Sequence, residues 1–172
     1  PGGVLNRREL GEHYGTNLYA PKHWITGKDY PDGATDTIPA QNFVGPVNVI
    51  DCSKEAAADH DFLLTVDHIK AWEAKHGAIN AGEWVVMRTD WYKRNGSEAE
   101  FLNADETGPH TPGPTAEAIQ YLLGKNIKGW GSEAIGTDAG KAGGMEPPLP
   151  APSPTHTPNR HGRATPCRPA HV

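Results

Sequence analysis

The chain has 172 residues, 36% of them hydrophobic, and a net charge of −5. That length suits one domain with a sizeable core and is too short for two comfortable ones. No stretch reaches the 18 apolar residues of a membrane-spanning helix. No basic segment followed by an apolar one opens the chain, so no secretory leader is expected. Pro1 stands where a Met would, so the native start is expected to lie upstream. Two cysteines, Cys52 and Cys167, make neither a disulfide framework nor a zinc cluster. They read as free thiols of a reducing, cytoplasmic compartment. Charge is uneven. Residues 147–172 hold three arginines, three histidines and no acid, which leaves −8 on residues 1–146. Such a body repels phosphate backbones, so nucleic acid is not an expected partner.

In chain order, residues 1–12 read as a loop or one edge strand. Residues 13–43 are rich in Gly, Pro, His and Asp without periodicity and read as a long ordered loop. Residues 43–51 (FVGPVNVID) predict a buried strand with a break at Gly45-Pro46. Residues 62–76 predict a helix, with Thr65 as N-cap and Gly77 as the stop. Residues 83–89 (EWVVMRT) predict a second buried strand, and 90–114 a second long loop with the turn-rich run GPHTPGP. Residues 115–125 predict a helix capped by Thr115, without a capping box because Ala118 stands three residues on. Residues 127–137 predict a short strand and a turn. Strand, helix, strand, helix, strand in this order argues α/β.

After Glu146 the composition changes. Eight prolines and hardly any large apolar side chain occupy 147–172. Such a segment buries too little surface to offset its ordering entropy, so residues 152–172 are expected to be a Pro-rich disordered tail. The PxxP spacing from Pro147 to Pro150 is common in any Pro-rich stretch and carries no weight.

One stretch carries chemistry: His13-Tyr14-Gly15-Thr16-Asn17-Leu18-Tyr19-Ala20-Pro21-Lys22-His23-Trp24. It resembles the signature loop of the cyclase family of metal-dependent hydrolases, which includes kynurenine formamidases and isatin hydrolases, with the pattern H-x-G-T-H-x-D-x-P-x-H. His13, Gly15, Thr16, Pro21 and His23 match. The likeness extends through GEWVVMRTDW, GPHTPGPTAEAIQYLL and GSEAIGTDAGKAGGMEPPLPA, which look like the isatin-hydrolase-like branch.

The resemblance implies a swivelling β/β/α domain over residues 1–151, partial at its C-terminal end, commonly dimeric, with Mn or Zn as cofactor. Imidazole and carboxylate ligands suit such an ion. Water bound to it becomes a nucleophile for an amide carbonyl near neutral pH. Carried over by position, His13 is a metal ligand and His23 the catalytic acid/base. Trp24 either stacks on a flat aryl substrate or packs in the core. The substrate implied is a small aryl amide, isatin or N-formylkynurenine, as in tryptophan breakdown. No membrane partner is expected.

Two departures qualify this. Asn17 stands at the family's second His and Tyr19 at its Asp. An amide is a weak neutral ligand, and a phenol with a pKa of about 10 is protonated at neutral pH. A tyrosinate would need a strong metal field. The family also continues past PPLPA into a helix and strand bearing a further His and a Glu, and 152–172 contains no Glu. The change after Ala151 reads as an out-of-frame or scrambled end, with a genuine Pro-rich extension as the alternative. The expected function is therefore metal-dependent amide hydrolysis, impaired in this chain. The alternative is a metal-free homologue that acts as a binding module or is a non-functional fragment. His60, His68, His76 and His110 lie outside the motif; His68 reads as a surface residue on its helix, and His110 sits in the turn run. Glu133, Thr137 and Asp138 read either as support for the site or as a solvated turn.

Overall fold

A computed structural model of the chain describes residues 15–21, 33–142 and 170–171. Its centre is a parallel sheet of β1 (Val47–Asp51), β3 (Trp84–Arg88), β7 (Gly129–Ser132) and the two-residue β8 (Ala170–His171), in the order β1-β3-β7-β8. Val47 pairs with Trp84 and Asp51 with Arg88; Trp84 pairs with Gly129 and Met87 with Ser132. Ala170 and His171 pair with Gly131 and Ser132. They are the only described part of the Pro-rich segment. The connections carry α1 (Ser53–Ala58), β2 (Leu63–Leu64), α2 (Val66–His76), α3 (Glu98–Leu102), a hairpin of β4 (Ala104–Asp105) and β5 (Gly108–Pro109), β6 (Gly113–Pro114) and α4 (Ala116–Gly124). The mixture of helices and parallel strands is the expected α/β class.

Alternation along the strands puts Ile50, Val85, Met87 and Trp130 on one face. There they pack with Ile69 of α2, Ala118, Ile119 and Leu122 of α4, and Leu64 of β2. Thr65 caps α2 as predicted, accepting from His68 N, while Thr65 N donates to His68 Nδ1 at 3.1 Å. Gly77 ends that helix at φ 99°, a conformation costly for a side chain. Thr115 caps α4, accepting from Ala118 N at 3.1 Å. Glu73 joins the two helices: it accepts from Tyr121 Oη at 2.6 Å and pairs with Lys125 at 2.7 Å.

The opposite face is open at β1, where Val47 is 56% and Val49 45% exposed. On that face Trp84 lies across Gly129, and a Cβ at Gly129 would fall inside the indole ring. No helix among the described residues is long and apolar enough to cross a membrane.

Three boundaries differ from expectation. The first strand begins at Val47 and not at residue 43; Ala40–Phe43 form a 3₁₀ turn, and Pro46, with no N–H to give a ladder, stands just before the strand. The helix expected from residue 62 begins after Thr65, because Leu63–Leu64 pair in parallel with Gly113–Pro114. The loop expected over 90–114 contains a 3₁₀ turn (Trp91–Arg94), α3, a hairpin and β6, each too short to leave a period in the sequence.

Candidate active site

Residues 15–21 are the described part of the signature loop. Gly15 takes φ +64°, which favours glycine. Asn17 Nδ2 donates to the Gly15 carbonyl at 2.9 Å, which fixes the amide. Its Oδ1 is buried with no hydrogen-bond partner among the described residues. Leu18 makes a single β-bridge, and Ala20 and Pro21 are buried, so the loop is anchored on both sides of Tyr19. Burial pushes the Tyr19 phenol further up from its ordinary value, so it stays neutral. His13, His23 and Trp24 lie outside the described residues. Among the described residues, no group of three or more His, Cys, Asp and Glu side chains is placed to hold a metal ion.

The carboxyl ends of the parallel strands, where α/β sheets place their ligands, carry a second polar cluster. Thr89, just past β3, is buried. Its N and Oγ1 donate to Glu133 Oε2, just past β7, at 2.8 and 3.1 Å. Arg88 pairs with Asp51 at 3.0 Å and with Asp90 at 2.9 Å. Trp130 Nε1 donates to the Thr137 carbonyl at 3.3 Å. Burial alone pushes the Asp138 carboxyl up to about 6. Its backbone lies against β6 so closely that a Cβ at Gly113 would enter the Asp138–Ala139 peptide. Of the polar residues flagged by sequence, Glu133 thus cross-links the ends of β3 and β7, Thr137 holds its turn against β7 through its carbonyl, and Asp138 is a half-desolvated carboxyl.

A third feature is formed by residues far apart in the sequence. A polar groove of about 570 Å³ runs between two walls. One wall is the end of α1 with Asp59, His60 and Asp61, and the other is Ala99, Asn103, Ala104 and Asp105. Two histidines from outside the signature loop, His60 and His110, tie these walls together. His60 Nε2 lies 3.2 Å from Arg94 Nη1, and its Nδ1 lies 3.2 Å from Asn103 Nδ2. His110 Nδ1 lies 2.9 Å from Asp61 Oδ2, and its Nε2 lies 3.1 Å from Asp105 Oδ1. The one local signal is the run Asp59-His60-Asp61 itself.

The profile of the Cyclase family, described as "Putative cyclase", matches residues 5–139, well over half of the chain. The chain belongs to this family. It is 70% identical over 156 residues to the isatin hydrolase of Roseibium aggregatum, a match covering 91% of this chain and 59% of that protein. A crystal structure of an isatin hydrolase bound to the product analogue thioisatinate superposes with a TM-score of 0.77 at 74% identity. That match covers 83% of this chain and 55% of the solved one. A more distant structure, described as a potential metal-dependent hydrolase with cyclase activity, matches at 28% identity with a TM-score of 0.53, covering 77% of this chain and 54% of its own. The chain thus spans a little over half the length of these relatives. The family expected from the loop is the family found.

Proposed function

We propose that this chain is an amide-hydrolase domain of the isatin-hydrolysing kind whose signature loop no longer holds a divalent ion firmly. The observation that carries the substrate class is the 70% identity over 156 residues to an isatin hydrolase. It favours the cyclic amide of isatin over N-formylkynurenine. A divalent metal as the family's cofactor is supported by the relative described as metal-dependent.

The donors of this loop do not fit such an ion. His13 offers one imidazole. Asn17 offers a neutral amide oxygen, and Tyr19 a phenol that burial holds protonated. No carboxylate stands at either position, so the charge that would offset a dication is missing. His23 as acid/base and Trp24 as an aromatic platform remain assignments by position in the loop. Residues 1–151 as the partial hydrolase domain, residues 152–172 as a Pro-rich tail of which Ala170–His171 pairs with β7 in the central sheet, a homodimeric assembly and a cytoplasmic location belong to the same proposal.

The second reading, a metal-free binding module, is favoured by one observation. The buried Asn17 Oδ1 lacks a donor among the described residues, and the N–H of a cyclic amide would supply one. Two assays on the purified chain separate the readings: isatin hydrolysis with added Mn or Zn, and calorimetric titration of isatin in the presence of EDTA. Hydrolysis about 10²-fold or more below a family relative is expected, since weakened ligation costs on this scale. Turnover equal to the relative's would overturn the proposal. Isatin binding that survives EDTA and is lost in Asn17→Leu would establish the second reading.

A further inference from the structure

The imidazole of His110 stands between two carboxylates that belong to opposite walls of the groove. Its Nδ1 faces both oxygens of Asp61, at 3.0 and 2.9 Å, on the turn after α1. Its Nε2 faces Asp105 Oδ1 at 3.1 Å, on β4 of the hairpin. We propose that His110 is a pH-operated clamp that holds the β4–β5 hairpin to the turn after α1, and so sets the width of the groove. The proposal is independent of the hydrolytic reading.

The reason is the count of protons. A cationic imidazole has two N–H groups and satisfies both carboxylates at once. A neutral one has a single N–H. It keeps one carboxylate and turns a lone pair toward the other. Asp61 first and Asp105 second pull the imidazole above its ordinary value, so the clamp stays closed to a higher pH than an unpaired imidazole would allow.

The surroundings decide which contact gives way. Lys141, on the 3₁₀ turn Gly140–Ala142, pairs with Asp61 at 2.7 Å and holds that side whatever the imidazole does. The backbone of His110 is tied to Asn103: its N donates to the Asn103 carbonyl at 3.0 Å, and its carbonyl accepts from Asn103 Nδ2 at 2.7 Å. The ring therefore stays in place. Asp105 is held by the turn itself, because Thr107 N and Oγ1 donate to its Oδ1 at 2.7 and 2.6 Å. Those bonds bring Asp105 down to about 2, with Thr107 the main cause, so it never gains a proton to share with a neutral imidazole. The other charges near this centre are Asp59 and His60 on the first wall and Glu106 at the hairpin tip. The contact that gives way is thus the one to Asp105 on β4, one wall of the groove, while Thr107 Oγ1, 3.1 Å from His110 Nε2, can donate to the neutral ring.

Hydrogen exchange between pH 5.5 and 9, corrected for the intrinsic rate, tests this. The ring proton of His110 is followed by NMR in the same samples. Protection of residues 104–109 is expected to fall as His110 deprotonates, by up to about tenfold for each pH unit by which the clamp raises the imidazole. The amides of α2 are expected to stay constant. His110→Gln is expected to abolish the dependence. Asp105→Asn, which keeps the Asp61 contact should His110→Gln fail to fold, is expected to move the midpoint to lower pH. Protection of 104–109 that does not follow the His110 titration, or a midpoint unmoved in Asp105→Asn, would overturn the proposal.

Discussion

Thr89 and Glu133 join the carboxyl ends of two neighbouring parallel strands through a single oxygen. Glu133 Oε2 accepts both the backbone N–H and the hydroxyl of Thr89, at 2.8 and 3.1 Å. Thr89 is 4% exposed, so water cannot replace these bonds. Glu133→Ala strands a buried donor and is expected to cost about 1–3 kcal/mol. At about 2–4 °C for each kcal/mol in a chain of this size, thermal unfolding reads it directly. Glu133→Gln, which keeps one acceptor oxygen, is expected to lose less.

Asp138 gives a pH prediction of opposite sense to the usual carboxylate. Burial raises it to about 6 in the folded chain, while an unfolded Asp titrates near 3.9. Between these values the folded state binds the proton that the unfolded state has released. Its contribution to stability therefore falls as pH rises from about 4 to about 6 and stays low above. Asp138→Asn is expected to raise the melting temperature by a few degrees at pH 7, with a gain that shrinks toward zero near pH 4. A gain of the same size at both pH values would mean the carboxyl is not desolvated.

The approach of residues 136–140 to β6 admits no side chain at Gly113. A Cβ there would meet the backbone of Asp138 and Ala139, which has no flexible end to yield. Gly113→Ala is expected to destabilise by at least about 1–3 kcal/mol, the range for overpacking. Gly124→Ala, on an open helix surface with nothing within 4 Å, is expected to be neutral or slightly stabilising. Denaturant midpoints of the two variants make the comparison.

Much of this architecture is legible in the sequence. The runs VNVID and WVVMR stand out as strands because they are apolar and bounded by turn residues, and Thr65 and Thr115 announce their helices as caps. What escapes is short or non-local. The two-residue strands Leu63–Leu64 and Gly113–Pro114 exist only because they pair with each other. The groove depends on His60 meeting Arg94 and Asn103, and on His110 meeting Asp61 across 49 residues. No local period encodes such meetings. The signature loop was legible for the opposite reason: its chemistry lies in consecutive residues, and so do its two departures at Asn17 and Tyr19.

The most direct test of the central claim is metal content. The purified chain, incubated with Mn or Zn and passed through gel filtration, is compared with Asn17→His/Tyr19→Asp by elemental analysis. The unaltered chain is expected to emerge with well under one ion per chain, and the double variant with more, because an imidazole and a carboxylate return to the loop. One tightly held ion per unaltered chain would contradict the account and make Asn17 and Tyr19 competent ligands after all.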